Sequence, residues 1–131
     1  MKRKIAHIAI IVRDYDEAIE FYTQKLGFTL LDDTVLSETK RWVLVTPEKD
    51  SSGCALPLAK AANETQENFI GFQSGERFFL FLDTGNFYRD YHDFIAKGIK
   101  IIREPSQEEY GIVAVFEDLY GNLWNLIEYN F

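Results

Sequence analysis

The 131 residues are 47% apolar and include Phe 11, Tyr 7 and Trp 2, which suits one domain with a sizeable core. With 14 basic against 21 acidic residues the net charge is −7, and the basic residues are scattered beyond the first four, so nucleic acid and anionic membrane are excluded as partners. Cys54 is the only cysteine, which rules out a disulfide framework or a thiolate zinc site within one chain and points to a reducing compartment.

The opening Met1-Lys2-Arg3-Lys4 and the apolar run to Val12 imitate a secretory leader. His7 interrupts that run, and Arg13-Asp14-Tyr15-Asp16-Glu17 stands where small cleavage residues belong. No run approaches the ~20 apolar residues of a membrane span, so the expectation is a cytoplasmic protein.

In chain order, Lys4 to Val12 reads as a strand rich in Ile and Val. Asp14, with Glu17 three residues on, is an aspartate version of the capping box and starts a helix. Tyr15, Ala18, Ile19, Tyr22 and Leu26 form its apolar stripe, and Gly27 stops it. Strands follow at Phe28 to Val35 and Arg41 to Thr46, with a weaker one at Cys54 to Leu58. The stretch from Ala59 to Ser74 reads as a linker. Beyond it the order repeats: strand 77–83, helix 87–97, strands 99–104 and 111–117, a turn at Asp118-Leu119-Tyr120-Gly121-Asn122, and strand 123–129.

The passage from Ile5 to Asp32 is therefore echoed from Arg77 to Arg103. Ala18, Ile19, Phe21, Tyr22 and Leu26 answer Phe87, Tyr88, Tyr91, Phe94 and Ile95, and Gly27 answers Gly98. A repeat of about seventy residues is too long for a solenoid unit, so the reading is an α+β fold made of two tandem βαβββ modules, about 1–60 and 75–131. Together they are expected to form one domain, a curved mixed sheet around a cleft with the helices outside.

His7, Asp14, Ala18, Phe21-Tyr22, Leu26-Gly27-Phe28 and the later Phe116-Glu117-Asp118-Leu119-Tyr120-Gly121-Asn122 resemble the pattern of the vicinal oxygen chelate superfamily. That superfamily contains glyoxalase I, extradiol dioxygenases, fosfomycin-resistance thiol transferases and bleomycin-binding proteins. The resemblance covers essentially the whole chain. In metal-dependent members it implies three or four His and Glu ligands on the first and last strands of each module, around one ion with positions open to substrate.

Mapped onto this chain, the implied ligand set keeps only His7. Counting back from Leu82 puts Arg77 at the second histidine position, the last-strand carboxylate is Asn125, and the first module offers Pro57. No cofactor is expected, and a divalent Zn, Ni, Mn or Fe would rest on His7. His92 falls on the second helix, away from the cleft, and Glu128 on the opposite strand face from Asn125.

Strand parity places His7, Ala9 and Ile11 on one face, with Arg77, Phe79 and Phe81 and then Leu123, Asn125 and Ile127 on the matching faces. Trp124 then packs beneath the helices opposite Asn125. An apolar, aromatic concavity with a few polar groups is the composition of a small-molecule site. Its expected ligand contacts are His7, Arg77, Asn125, Phe79 and Phe81, with Gln73 and Glu109 as loop candidates. Arg77 offers a bidentate fork to an anion, and His7 is the candidate acid or base.

Three readings stay open. The first is a metal-independent protein that binds an aromatic or anionic organic ligand, as a homodimer. The second is a glyoxalase I-like lyase, or a related dioxygenase or thiol transferase, with a displaced set such as His7, Glu109 and Gln73 or a metal-free His7 and Arg77 pair. The third is a dimerisation module whose cleft is filled by its own side chains.

Overall fold

The computed structural model describes residues 2–50 and 52–131. The chain divides into two compact units, Met1–Ile70 and Gly71–Phe131. In the first, β1 (Ile10–Val12) leads to α1 (Tyr15–Glu20), which continues as a π-helical turn (Phe21–Lys25), then β2 (Thr29–Val35), β3 (Arg41–Thr46), β4 (Leu56–Lys60) and a short α2 (Glu64–Glu67). In the second, β5 (Leu80–Asp83), α3 (Phe87–Ala96), β6 (Ile101–Glu108), β7 (Gly111–Glu117) and β8 (Leu123–Tyr129) repeat the βαβββ order. The sheets run β1-β4-β3-β2 and β5-β8-β7-β6, so each module is one four-stranded mixed sheet.

The helix signals act as their chemistry dictates. Asp14 accepts a hydrogen bond from the Glu17 N–H at 2.9 Å and starts α1, while Asn86 accepts from the Arg89 N–H at 3.2 Å and starts α3. Gly27 and Gly98 follow the two helices at φ +75° and +80°, in the left-handed region a glycine enters without a Cβ clash. In the first unit Ile10, Val12, Ala18, Tyr22, Val45 and Leu58 are fully or almost fully buried. In the second, Phe94 meets Phe116 edge-on at 5.0 Å and Phe116 stacks on Trp124 at 5.8 Å, so Trp124 lies on the helix side as expected from parity. Glu128 is on that side too, and its Oε1 accepts the N–H of Phe87 at the start of α3.

The strand expected over Lys4 to Val12 is corrected. Only Ile10–Val12 form a continuous ladder with β4, and His7 makes an isolated bridge to Ala55. Pro57 is the cause. On this side of β4 the N–H groups of alternate residues donate to the first strand, Ala55 to the Ala6 carbonyl and Ala61 to that of Val12. The residue that would donate to Ile8 is Pro57, which has no N–H.

Other boundaries also move. β4 runs on to Lys60, and α2, capped by Asn63, lies inside the stretch read as a linker. β6 continues to Glu108, where pairing with β7 carries it beyond the expected 99–104. β5 begins at Leu80 instead of 77, because residues 72–77 turn back on themselves: the Gly75 N–H donates to the Phe72 carbonyl and the Arg77 N–H to that of Ser74. Among the described residues no helix is long and apolar enough to cross a membrane.

Candidate functional site

In the first unit β3 and β4 pair at only two positions, Leu44 with Pro57 and Val45 with Leu56. Past them the strands part. A cavity of about 650 Å³ opens there, lined by Ala9, Tyr15, Trp42, Val43, Pro57 and Ala59 among others. Small side chains on β4 and just after it (Ala59, Ala61, Ala62) leave the space, and Tyr15 and Trp42 supply aromatic walls. Such a volume lies within the usual range for small-molecule pockets.

The polar end of this cavity is built by Arg41. Its guanidinium grips Asp33 with two hydrogen bonds, at 3.1 and 2.7 Å, and meets Asp16 at 3.0 Å; the backbone N–H of Arg41 donates to the Tyr15 hydroxyl at 3.2 Å. The hydrogen bonds from Arg41 hold the Asp33 carboxyl below the ordinary aspartate value and keep the guanidinium protonated more firmly than usual. Arg41 is thus committed to structure. Lys40 and Lys60 also line the cavity, and neither makes an ion pair among the described residues.

His7 is exposed and its ring lies edge-on to that of Trp42 at 5.8 Å, so the structure brings this candidate beside the cavity wall. The remaining expected residues belong to the second unit. Asn125 is mid-strand and 6% exposed, paired in register with Phe81 on one side and Val115 on the other. Its Oδ1 is buried without a hydrogen-bond partner. Phe79 adjoins β5 and donates its N–H to the Leu123 carbonyl.

Arg77 is exposed in the turn before β5, where its carbonyl accepts from the Ser74 hydroxyl, and Gln73 is in the same turn. Glu109 is at the tip of the β6–β7 hairpin, its carbonyl bonded to the Asn130 side chain. Five residues separate Asn130 from Asn125, roughly 17 Å along the strand, so Glu109 is not brought to Asn125.

The match of Arg77 to His7 is corrected by the hydrogen bonds. Ile8 donates its N–H to Ala55, and the corresponding bond of the second module runs from Phe79 to Leu123. The residue before each donor is the counterpart, so Phe78 answers His7.

The residues present do not fit the metal centre that the resemblance implies. His7, Phe78, Pro57 and Asn125 hold the four positions, and among the described residues no three His, Cys, Asp or Glu side chains gather to hold an ion. One imidazole and a neutral amide are too few donors of the kind divalent transition metals take.

Sequence reasoning missed the cavity of the first unit. Its signal was present in Pro57 within a strand and in the alanines of Ala59-Lys60-Ala61-Ala62, which cannot fill the space beside a tryptophan.

Comparison with known proteins agrees with this fold. The profile of the Glyoxalase/Bleomycin resistance protein/Dioxygenase superfamily matches residues 4–126. An uncharacterized protein of Shewanella frigidimarina (strain NCIMB 400) is 54% identical over 131 residues, covering 99% of this chain and 96% of that one. The crystal structure of UcmS2 superposes with a TM-score of 0.83 at 31% identity, over 97% of this chain and 98% of that chain. That of TnmS3, an antibiotic binding protein from Streptomyces sp. CB03234, gives 0.80 at 25% identity over 98% of each.

Proposed function

For a chain that belongs to the glyoxalase/bleomycin resistance protein/dioxygenase superfamily but carries one of the four implied metal ligands, we propose binding of a small aromatic or anionic organic molecule through side chains alone. The observation that carries this reading is the cavity of about 650 Å³ in the first unit, walled by Trp42 and Tyr15, flanked by His7 and lined by Lys40 and Lys60. Aromatic walls hold a flat ligand by dispersion and ring stacking, and the two ammonium groups favour an acidic substituent. The likeness to an antibiotic binding protein supports the same class of activity.

Trp42 makes the test direct, because the other tryptophan is buried in the second unit. Chelator-treated protein titrated with a panel of aromatic acids and polycyclic aromatics should show a saturable fluorescence change with at least one compound, at one site per chain. The change should disappear in Trp42→Phe, and the affinity in Ala59→Phe, which fills the cavity. A panel without a saturating member, or a binder indifferent to Ala59→Phe, overturns the assignment.

A further inference from the structure

The second unit holds a smaller cavity of about 320 Å³ at the carboxyl ends of its parallel strands β5 and β8, lined by Asp83, Thr84, Gly85, Glu128, Tyr129 and Phe131. The register explains it. Asp83 is opposite Ile127 and the Thr84 N–H donates to the Ile127 carbonyl, after which the chain leaves β5 for α3 while β8 runs on to Tyr129. Gly85 sits in the gap, where a Cβ would meet nothing within 4 Å. Tyr129 lies four residues beyond Asn125, about 13 Å along β8, so this pocket is apart from the middle of the sheet.

Its walls are aromatic and its charge is negative. The rings of Tyr129 and Phe131 stand 5.0 Å apart with 34° between their planes, and the Tyr129 ring also meets that of Tyr110 at 6.4 Å. Phe131 is 97% exposed, yet the chain before it is pinned. The Asn130 N–H donates to the Tyr110 carbonyl at 2.9 Å and its side-chain amide to the Glu109 carbonyl at 2.7 Å. Glu128 is held by the Phe87 N–H, which donates to its Oε1 at 2.6 Å. Neither Glu128 nor Asp83 makes an ion pair among the described residues, and no Lys, Arg or His is among the described lining residues. The Thr84 hydroxyl is spent, donating to Asp90 and accepting the Asn86 N–H.

Two carboxylates without a counter-cation attract positive charge. The negative faces of aromatic rings favour a cation whose charge is spread over methyl groups. A divalent ion is the poorer occupant, because hard cations take six or more oxygens and among the described residues no three His, Cys, Asp or Glu side chains gather.

We propose that this pocket binds a small free organic cation with a methylated ammonium head. The head lies against Tyr129 and Phe131, and Asp83 and Glu128 balance its charge. The site is independent of the first-unit cavity, whose lysines favour a ligand of the opposite sign.

The probe is choline, compared by NMR of the whole chain with 3,3-dimethyl-1-butanol, which has its shape without the charge, and with ethanolamine, which has its charge without the methyls. Choline should saturate in the millimolar range, moving the ring resonances of Phe131 and Tyr129 and the amide of Phe87. The neutral alcohol should leave them in place, and ethanolamine should bind at least about threefold more weakly. Asp83→Asn and Phe131→Leu should each weaken choline by about threefold or more, and Gly85→Leu, which fills the pocket, should abolish binding. All three positions are exposed, so the variants should fold as the wild type does. No saturation by millimolar choline, binding of the neutral alcohol, ethanolamine as tight as choline, or an affinity unchanged in Phe131→Leu overturns the proposal. So does displacement of choline by equimolar Ca²⁺, which would make the pocket a metal site. Retention on phosphatidylcholine vesicles without a response to free choline overturns it as well, by assigning the head group to a lipid.

Discussion

The two modules place different residues at one point of the same scaffold, Pro57 on β4 and Asn125 on β8. Leu44 pairs with Pro57 and Val115 with Asn125, each just past a bulge, at Leu30/Asp32 and at Ile101/Arg103. Around Asn125 the sheet is whole: β7 and β8 pair at seven positions and β5 lies in register alongside. Around Pro57 it is loose, with two pairs to β3 and a gap in the pairing to β1. The opposite ends of these rows diverge as well, Asp32 in the first and Arg103 in the second. The two modules are thus two versions of one frame, of which one opens into a cavity and the other keeps an intact sheet with a buried, unsatisfied amide.

The largest effect expected from this contrast is in the second core. Trp124→Ala removes a buried ring stacked on Phe116 and should cost about 3–5 kcal/mol by urea denaturation. A cost near zero would mean that the stacked aromatics do not hold the second sheet. Next, Asn125→Leu replaces an unpaired buried amide by an apolar side chain of similar size. It should leave stability unchanged or raise it by about 1 kcal/mol. A loss above that size would show that the amide is satisfied in the folded protein.

Much of this architecture was legible in the chain. The cap at Asp14, the glycines after each helix and the strands along 111–117 and 123–129 are local signals, and the structure follows them, whereas the cap at Asn86 went unread. The first strand was overread because its pairing depends on a donor that Pro57, far along the chain, does not have. The site was legible only in part. Parity placed Asn125 opposite Trp124, but an apolar run counts equally well in several registers, and the hydrogen bond from Phe79 to Leu123 makes Phe78 instead of Arg77 the counterpart of His7. The register of β6 was not legible either, because it depends on two bulges beside Arg103 that no periodicity reveals.

A smaller effect tests the charged end of the first-unit cavity. Arg41 lowers the Asp33 pKa, so the pair contributes stability above the aspartate's unfolded value, and the contribution is lost as pH falls through the folded one. Asp33→Asn should therefore cost about 0.5–1 kcal/mol near neutral pH and nothing once the medium is acidic enough to protonate the wild-type side chain. A difference that persists in acid would assign the loss to packing. Smallest of all, Pro57→Ala should shift stability by no more than about 0.5 kcal/mol, since a regained hydrogen bond offsets a more flexible unfolded chain. Hydrogen exchange should nevertheless show a protected amide at position 57 and a continuous first strand; an unprotected amide there would separate the gap from the proline.

The central claim is that side chains have replaced the metal at this site. Its most direct test is the metal content of the wild type and of His7→Ala after equilibration with Mn²⁺, Fe²⁺, Ni²⁺ and Zn²⁺ and removal of the excess. The account predicts that neither protein retains an ion in proportion to chain. One ion per chain in the wild type, lost in His7→Ala, would contradict it and return the protein to the metal-dependent chemistry of its superfamily.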